Sequence, residues 1–152
     1  MEASAVSHIA ICTRDMEKSL AFYRDILGMQ VLFDGPTDPT EGGRLQNYQQ
    51  ARKSRRRVSL SFRAGKKPTL TLTSHAGEEI AGTPLKLDQL GITHFSFTVP
   101  NAEALLDELL ARGVKLAGPR ETFTNTQGQV RSFYVYDPDG IIIQFDSGLN
   151  EG

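Results

Sequence analysis

The sequence lacks the features that mark several protein classes. It has one cysteine, Cys12, and no tryptophan. A lone thiol excludes an internal disulfide and suits a reducing compartment, and Cys12 is expected to be a small buried residue. No apolar run approaches the roughly 20 residues that span a bilayer, and the opening MEASAVSHIAIC carries no basic n-region. Neither a membrane anchor nor a signal peptide is expected, and the expected address is cytoplasmic. Lys and Arg number 17 against 18 Asp and Glu, so there is no overall pull toward nucleic acid or an anionic membrane. A phosphate-cradling glycine loop, a nucleophile elbow and a cysteine-based zinc pattern are all missing.

What is present is the composition of an ordinary folded domain: 152 residues, 39% hydrophobic and 23% charged. That length suits one domain with a real core. Two stretches share one plan, VSHIAICTRDMEKSLAFYRDILGMQVLFD and ITHFSFTVPNAEALLDELLARGVKLAGPR. In each, a strand-like run leads to a helix cap, an apolar helical stripe, a glycine and a second strand. Asp15 is the expected cap of the first helix, whose stripe is Met16, Leu20, Tyr23, Ile26 and Leu27 before Gly28. Asn101 is the cap of the second, whose stripe is Ala102, Leu105, Leu106, Leu109 and Leu110 before Gly113. His8 and His94 fall at the same place in the two copies.

Period-two patterning then predicts strands over 30–34, 58–63 and 68–74 in the first half, and over 115–117, 130–136 and 141–146 in the second. The chain therefore reads as an α+β protein of two β-α-β-β-β units, residues 5–75 and 92–148. The Gly- and Ala-rich stretch 76–91 is the linker between them. A second irregular insert, GPTDPTEGGRLQNYQQARKSRRR, is expected to end in a short helix or mobile loop.

Side chains alternate across a strand, so parity assigns faces. Ile9 and Ile11 oppose His8, Ala10 and Cys12, while Phe95, Phe97 and Val99 oppose His94, Ser96 and Thr98. By the same rule Leu70 and Leu72 face inward and Thr69, Thr71 and Thr73 outward. Ile141, Ile143 and Phe145 face the helix, while Ile142, Gln144 and Asp146 lie opposite. A face of His, Ser and Thr is a poor core but a good cavity wall. One such residue is usually a hydrogen-bonded structural group. Two His at repeat-equivalent positions, with Thr71 and Gln144 on matching faces, point instead to one concave site.

These pieces resemble the vicinal oxygen chelate superfamily, which includes glyoxalase I, extradiol dioxygenases, methylmalonyl-CoA epimerase and the fosfomycin and bleomycin resistance proteins. The resemblance rests on SHIAICTRDMEKSLAFYRDILGM, ITHFSFTV and YVYDPDGIIIQF, and the paired units cover nearly the whole chain. It implies that each unit forms a half-barrel and that paired half-barrels enclose a cavity, within one chain or across a homodimer. It also implies a divalent metal, such as iron, manganese, zinc or nickel. His8 matches the first-strand ligand and His94 its equivalent in the second unit. Gln144 stands where the family usually has a last-strand Glu, and Thr71 where glyoxalase-type members have Glu or Gln.

Two His and a carboxylate with open positions suit non-haem iron and related ions. A Gln amide oxygen ligates without supplying negative charge, so His8, His94 and Gln144 leave a divalent ion uncompensated. Asp146 lies about 7 Å further along the same face. Neither Thr71 nor Gln144 can serve as the carboxylate base of an isomerase or epimerase. The expected function is therefore metal-dependent dioxygenase-, lyase- or transferase-like chemistry on a small oxygen-rich molecule, with Tyr134 and Tyr136 lining the cavity. The alternative is a metal-free protein of the bleomycin-resistance type that sequesters a small ligand, for which His8, His94 and Gln144 are hydrogen-bonding wall.

Other signals are local. Asp-Pro-Asp-Gly at 137–140 is a tight-turn sequence and lacks the spacing and closing Glu of a calcium loop. The run RKSRRR is short and lacks interleaved aromatics, so a solvated insert is expected, with attraction of an anionic substrate as its functional alternative. His75, past a strand end, reads as a surface residue.

Overall fold

A computed structural model of the chain describes residues 1–62 and 66–148. They belong to two compact units, Met1–Ala81 and Gly82–Gly152. The division falls inside the Gly- and Ala-rich stretch 76–91, which contains no helix or strand.

Unit 1 runs β1 (His8–Cys12), α1 (Met16–Leu20), β2 (Gln30–Pro36), α2 (Arg44–Asn47), β3 (Arg56–Ser61) and β4 (Thr69–Ser74). Its open sheet has the order β1-β4-β3-β2, with β1 parallel to β4 and the other pairs antiparallel. The Asp15 carboxylate accepts the Lys18 N–H at 3.2 Å and so begins α1 as the sequence predicts. The helix does not continue regularly. Residues Ala21–Ile26 form a π-helical segment in which the Leu27 N–H donates to the Phe22 carbonyl at 2.9 Å. The extra residue in that turn advances the buried stripe to Met16, Leu20, Phe22 and Tyr23, leaving Ile26 and Leu27 half-buried. Gly28, at φ 75°, then ends the helix. The stripe joins a core containing Val58, Leu60, Leu70 and Leu72, each such side chain contributing about 1.5–3 kcal/mol on burial.

Unit 2 runs β5 (His94–Thr98), α3 (Ala102–Ala111), a 3₁₀ turn (Arg120–Phe123), β6 (Ser132–Tyr136) and β7 (Ile142–Asp146). Its open sheet has the order β5-β7-β6, with β5 parallel and β6 antiparallel to the central β7. Asn101 caps α3 by accepting the Ala104 N–H at 3.0 Å. Ala102, Leu106 and Leu109 are buried in a core with Phe133, Val135, Ile143 and Phe145. The strand expected over 115–117 is reduced to one bridge, Leu116 with Val135. It lies between Gly113 and Gly118, both at positive φ, which leaves too little extended chain for a ladder.

The architecture is thus mixed α+β with two small sheets, neither of which closes into a barrel among the described residues. Among those residues, no helix is long and apolar enough to cross a membrane.

Three expectations are corrected. Cys12 is exposed rather than buried, because it shares the outer face of β1 with His8 and Ala10. His75 is buried, with its Nδ1 2.6 Å from the Ser54 carbonyl oxygen and its ring edge-on to Tyr48. The end of RKSRRR is not a solvated loop: Arg56 and Arg57 open strand β3 and are half-buried. Of the expected strand 58–63, residue 63 lies outside the described residues.

Candidate functional site

Strand pairing places the chemistry-bearing residues of each unit on the sheet face away from its helix. In unit 1, His8 pairs with Thr69, Ala10 with Thr71 and Cys12 with Thr73. Across β3, Ser59 faces Thr71 and Arg57 faces Thr73. Parity is as the sequence predicts, since Leu70, Leu72, Val58 and Leu60 fill the opposite, buried face. Thr71 is itself buried, at the middle of the sheet.

In unit 2 the corresponding face brings together His94, Ser96 and Thr98 from β5, Ile142, Gln144 and Asp146 from β7, and Ser132, Tyr134 and Tyr136 from β6. Gln144 lies between Ser96 and Tyr134 in register. It is 9% exposed, less than a cavity-wall residue on an open sheet would be. The rings on the two outer strands account for this. His94 and Tyr134 meet edge to face, 5.5 Å apart, across the central strand, and Phe123 backs Tyr134 at 5.9 Å. The Gln144 Nε2 donates to the Ser132 Oγ at 2.7 Å. With its nitrogen so engaged, the amide oxygen is the end available to a ligand.

A feature shared by both units was missed in the sequence, although its signal is the dipeptides Ser-His and Thr-His. The His8 Nδ1 lies 2.9 Å from the Ser7 Oγ, and the His94 Nδ1 lies 2.9 Å from the Thr93 Oγ1. In each copy the preceding hydroxyl engages Nδ1 and leaves Nε2 as the ring nitrogen without that contact. Ser132, which orients Gln144, was also missed. Nothing in its local sequence separates it from any other strand serine.

The Asp-Pro-Asp-Gly turn sets the start of β7. The Asp137 carboxylate accepts the N–H groups of Asp139 and Ile141, both at 2.9 Å, and Gly140 adopts φ 90°. Beside it, a cavity of about 640 Å³ is lined by Thr83, Pro84, Lys86, Lys115, Tyr136 and Asp139, among others. The Lys86 Nζ stands 6.0 Å from the Tyr136 ring centre. Tyr136 therefore lines this groove, at the far end of the wall that holds Tyr134.

The donor chemistry is a poor match to a resident divalent metal. The set implied by the resemblance, His8, His94 and Gln144, is neutral when its imidazoles are free to ligate. Asp146, the carboxylate on the same face, has its Oδ1 2.7 Å from the Gly148 N–H, which competes for its charge. Among the described residues, no group of three or more His, Cys, Asp or Glu is disposed to hold an ion. Two neutral imidazoles and an amide supply no negative charge to offset a dipositive ion.

A model of the Glyoxalase/Bleomycin resistance protein/Dioxygenase superfamily matches residues 5–145. No curated protein sequence matches the chain. Among solved structures, a glyoxalase family protein from Bacillus cereus is 15% identical, with a TM-score of 0.76 over 97% of this chain and 95% of that one. Glyoxalase I of Leishmania major, described as trypanothione-dependent, is 22% identical, with a TM-score of 0.67 over 95% and 87% of the two chains. A fosfomycin resistance protein from Listeria monocytogenes, complexed with Mn(II) and sulfate ion, is 19% identical, with a TM-score of 0.62 over 99% and 97%. At these identities the structural likeness shows the fold.

Proposed function

The chain belongs to the Glyoxalase/Bleomycin resistance protein/Dioxygenase superfamily, and on that premise we propose that it binds a small oxygen-rich molecule without a resident metal. The ligand lies against the wall of His94, Tyr134 and Gln144. The observation that carries this reading is Gln144 itself. A neutral amide, oriented by Ser132 at 2.7 Å, takes the position that the resemblance assigns to a charged ligand. Such a wall offers one amide oxygen, one imidazole Nε2 and one phenol, a set suited to hydroxyl, carbonyl or ether oxygens on a flat ligand. Sequestration needs no more than this. The proposed assembly is a homodimer, supported by consecutive exposed apolar side chains, Val31, Leu32 and Phe33, on edge strand β2.

The metal-dependent reading, with dioxygenase-, lyase- or transferase-like chemistry, has one specific observation in its favour. Each His has its Nδ1 against a hydroxyl, the kind of partner that orients a metal-ligating imidazole.

Protein purified without chelators, then titrated with Mn(II), Fe(II), Zn(II) and Ni(II), separates the two. Binding no tighter than about millimolar, unchanged in His94→Ala, supports the metal-free reading. Micromolar binding lost in both His8→Ala and His94→Ala would restore the metalloenzyme. In parallel, a panel of catechols, hydroxybenzoates and short diols is screened by thermal shift. Members that raise Tm for the parent protein, but not for His94→Ala or Tyr134→Ala, identify the wall. A panel without effect removes it.

A further inference from the structure

Arg55, Arg56 and Arg57 are consecutive, and strand alternation sends the middle one the opposite way. Arg56, on the helix side, is fully paired: its guanidinium donates to Asp34 at 2.8 and 2.9 Å and to Glu17 at 2.6 Å. Its neighbours have no such partner. Arg55 donates from Nη1 to the Thr37 Oγ1 at 2.6 Å, and Arg57 lies over the Phe33 ring, its guanidinium carbon 4.4 Å from the ring centre. Arg44, on α2, donates to backbone carbonyls of Asp38 and Glu41. Among the described residues none of these three pairs with a carboxylate.

Contacts bring them onto one stretch of unit 1: Arg55 bonds Thr37 and Arg44 the adjoining Asp38 carbonyl, while Tyr48 packs on His75, whose Nδ1 meets the Ser54 carbonyl beside Arg55. Burial pushes the Arg55 guanidinium below its ordinary value, and the positive charges of Arg44 and Arg57 push the same way, while Tyr48 and Cys12 act against them. Two buried polar atoms here have no hydrogen-bond partner, the Arg57 Nε and the Tyr48 hydroxyl. Orphaned buried donors are uncommon and costly, and an absent ion or water is a standard reason for them. The site is also shaped. Gly35 pairs with Arg57, and a Cβ at Gly35 would stand 3.1 Å from the Phe33 ring, so glycine makes room for the ring that supports the guanidinium. With one face on Phe33, Arg57 meets a ligand through its in-plane edge, the geometry that pairs with a carboxylate or phosphate.

The geometry points to an oxyanion-binding site in unit 1, in which Arg57, Arg55 and Tyr48, with Arg44 alongside, hold the carboxylate or phosphate-type group of a small molecule. Excess positive charge on a partly buried face draws such a group in, and its oxygens accept from the outer N–H groups of the Arg57 and Arg55 guanidiniums. All of these residues belong to unit 1, whereas the His94 wall belongs to unit 2.

The test is titration of the full-length protein with inorganic phosphate, phenylphosphonate, benzoate and, as the neutral control, benzyl alcohol. Calorimetry is combined with the arginine Nε–H signals in a ¹H–¹⁵N spectrum. At least one anion is expected to bind and to shift the Arg57 Nε–H resonance, while benzyl alcohol does not. The relative affinities of phosphate, phenylphosphonate and benzoate decide between phosphate-type and carboxylate ligands. Arg57→Gln and Tyr48→Phe should each weaken binding, the former by roughly tenfold or more. Arg57→Lys keeps the charge, guards against misfolding as the cause, and should still bind more weakly than the parent. Arg56→Ala should leave anion affinity within about twofold. Equal binding by the neutral probe, an unmoved Arg57 signal, or equal losses in Arg56→Ala and Arg57→Gln would overturn the site.

Discussion

The His94 and Tyr134 rings stand edge to face, 5.5 Å apart, although their strands are separated by β7. They close over the central strand between Ile142 and Gln144, the residues in register with His94 and Tyr134 respectively. The contact makes one wall of side chains from all three strands of unit 2. It explains how an amide on the open face of a sheet comes to be buried.

That contact should be measurable as a coupling. In a double-mutant cycle of His94→Leu and Tyr134→Leu, followed by urea unfolding, the two rings are expected to couple by about 0.5–1.5 kcal/mol. Tyr134→Phe retains the ring and should retain most of the coupling. Strict additivity of the two leucine variants would show that the rings do not interact in solution.

Ser132 is expected to matter more than an ordinary strand serine. Its hydroxyl accepts the Gln144 Nε2 at 2.7 Å, so Ser132→Ala leaves a buried amide N–H group without its partner. The expected loss is about 1–3 kcal/mol. Gln144→Met in the Ser132→Ala background should recover part of it by removing the orphaned donor. A Ser132→Ala variant as stable as the parent would mean that the amide finds another acceptor or water.

Much of this was legible in the sequence. Asp15 and Asn101 name the helix starts because their side chains replace missing backbone acceptors, and strand parity finds the face of His94 and Gln144 because alternation is strict. Other features depended on neighbours distant in sequence. The π-helical turn after Leu20 shifts the buried stripe in a way that an ideal helical period cannot show. His75 is buried because Tyr48 and Ser54, from an insert that looked irregular, pack against it. The three arginines looked like one solvated charge run. Strand alternation in fact gives Arg56 two carboxylates and Arg57 an aromatic ring.

The Arg56 pairs predict an acid-sensitive contribution to stability. Hydrogen bonding to Arg56 holds the Asp34 carboxyl below its ordinary value. A depressed folded-state value stabilises above the unfolded pKa of about 3.9 and loses that contribution as pH falls through the folded value. Both side chains are more than a third exposed, at 36% and 37%, so solvent screening limits each pair to about 1 kcal/mol or less. Arg56→Met should therefore unfold earlier than the parent at pH 7, with the gap narrowing below about pH 4. A constant gap across that range would assign the effect to packing of the Arg56 stem instead.

Gln144→Glu tests the chemistry of the wall most directly. The substitution keeps the shape of a 9%-exposed side chain and adds a charge between Ser96 and Tyr134. Ser132 can rotate its hydroxyl to donate to the new carboxylate, but burial still disfavours ionisation and raises the carboxyl above its ordinary value near about 4.3. Without metal, the variant should therefore be less stable by about 1–3 kcal/mol at neutral pH. The deficit should grow as pH rises from about 4 to 8, because the unfolded carboxyl ionises first. With Mn(II) the sign should reverse: returning the negative charge should strengthen metal binding by about tenfold or more and raise Tm with ion concentration. A variant that shows the pH-dependent deficit but no response to Mn(II) would show that Gln144 belongs to a buried wall that does not face a metal position.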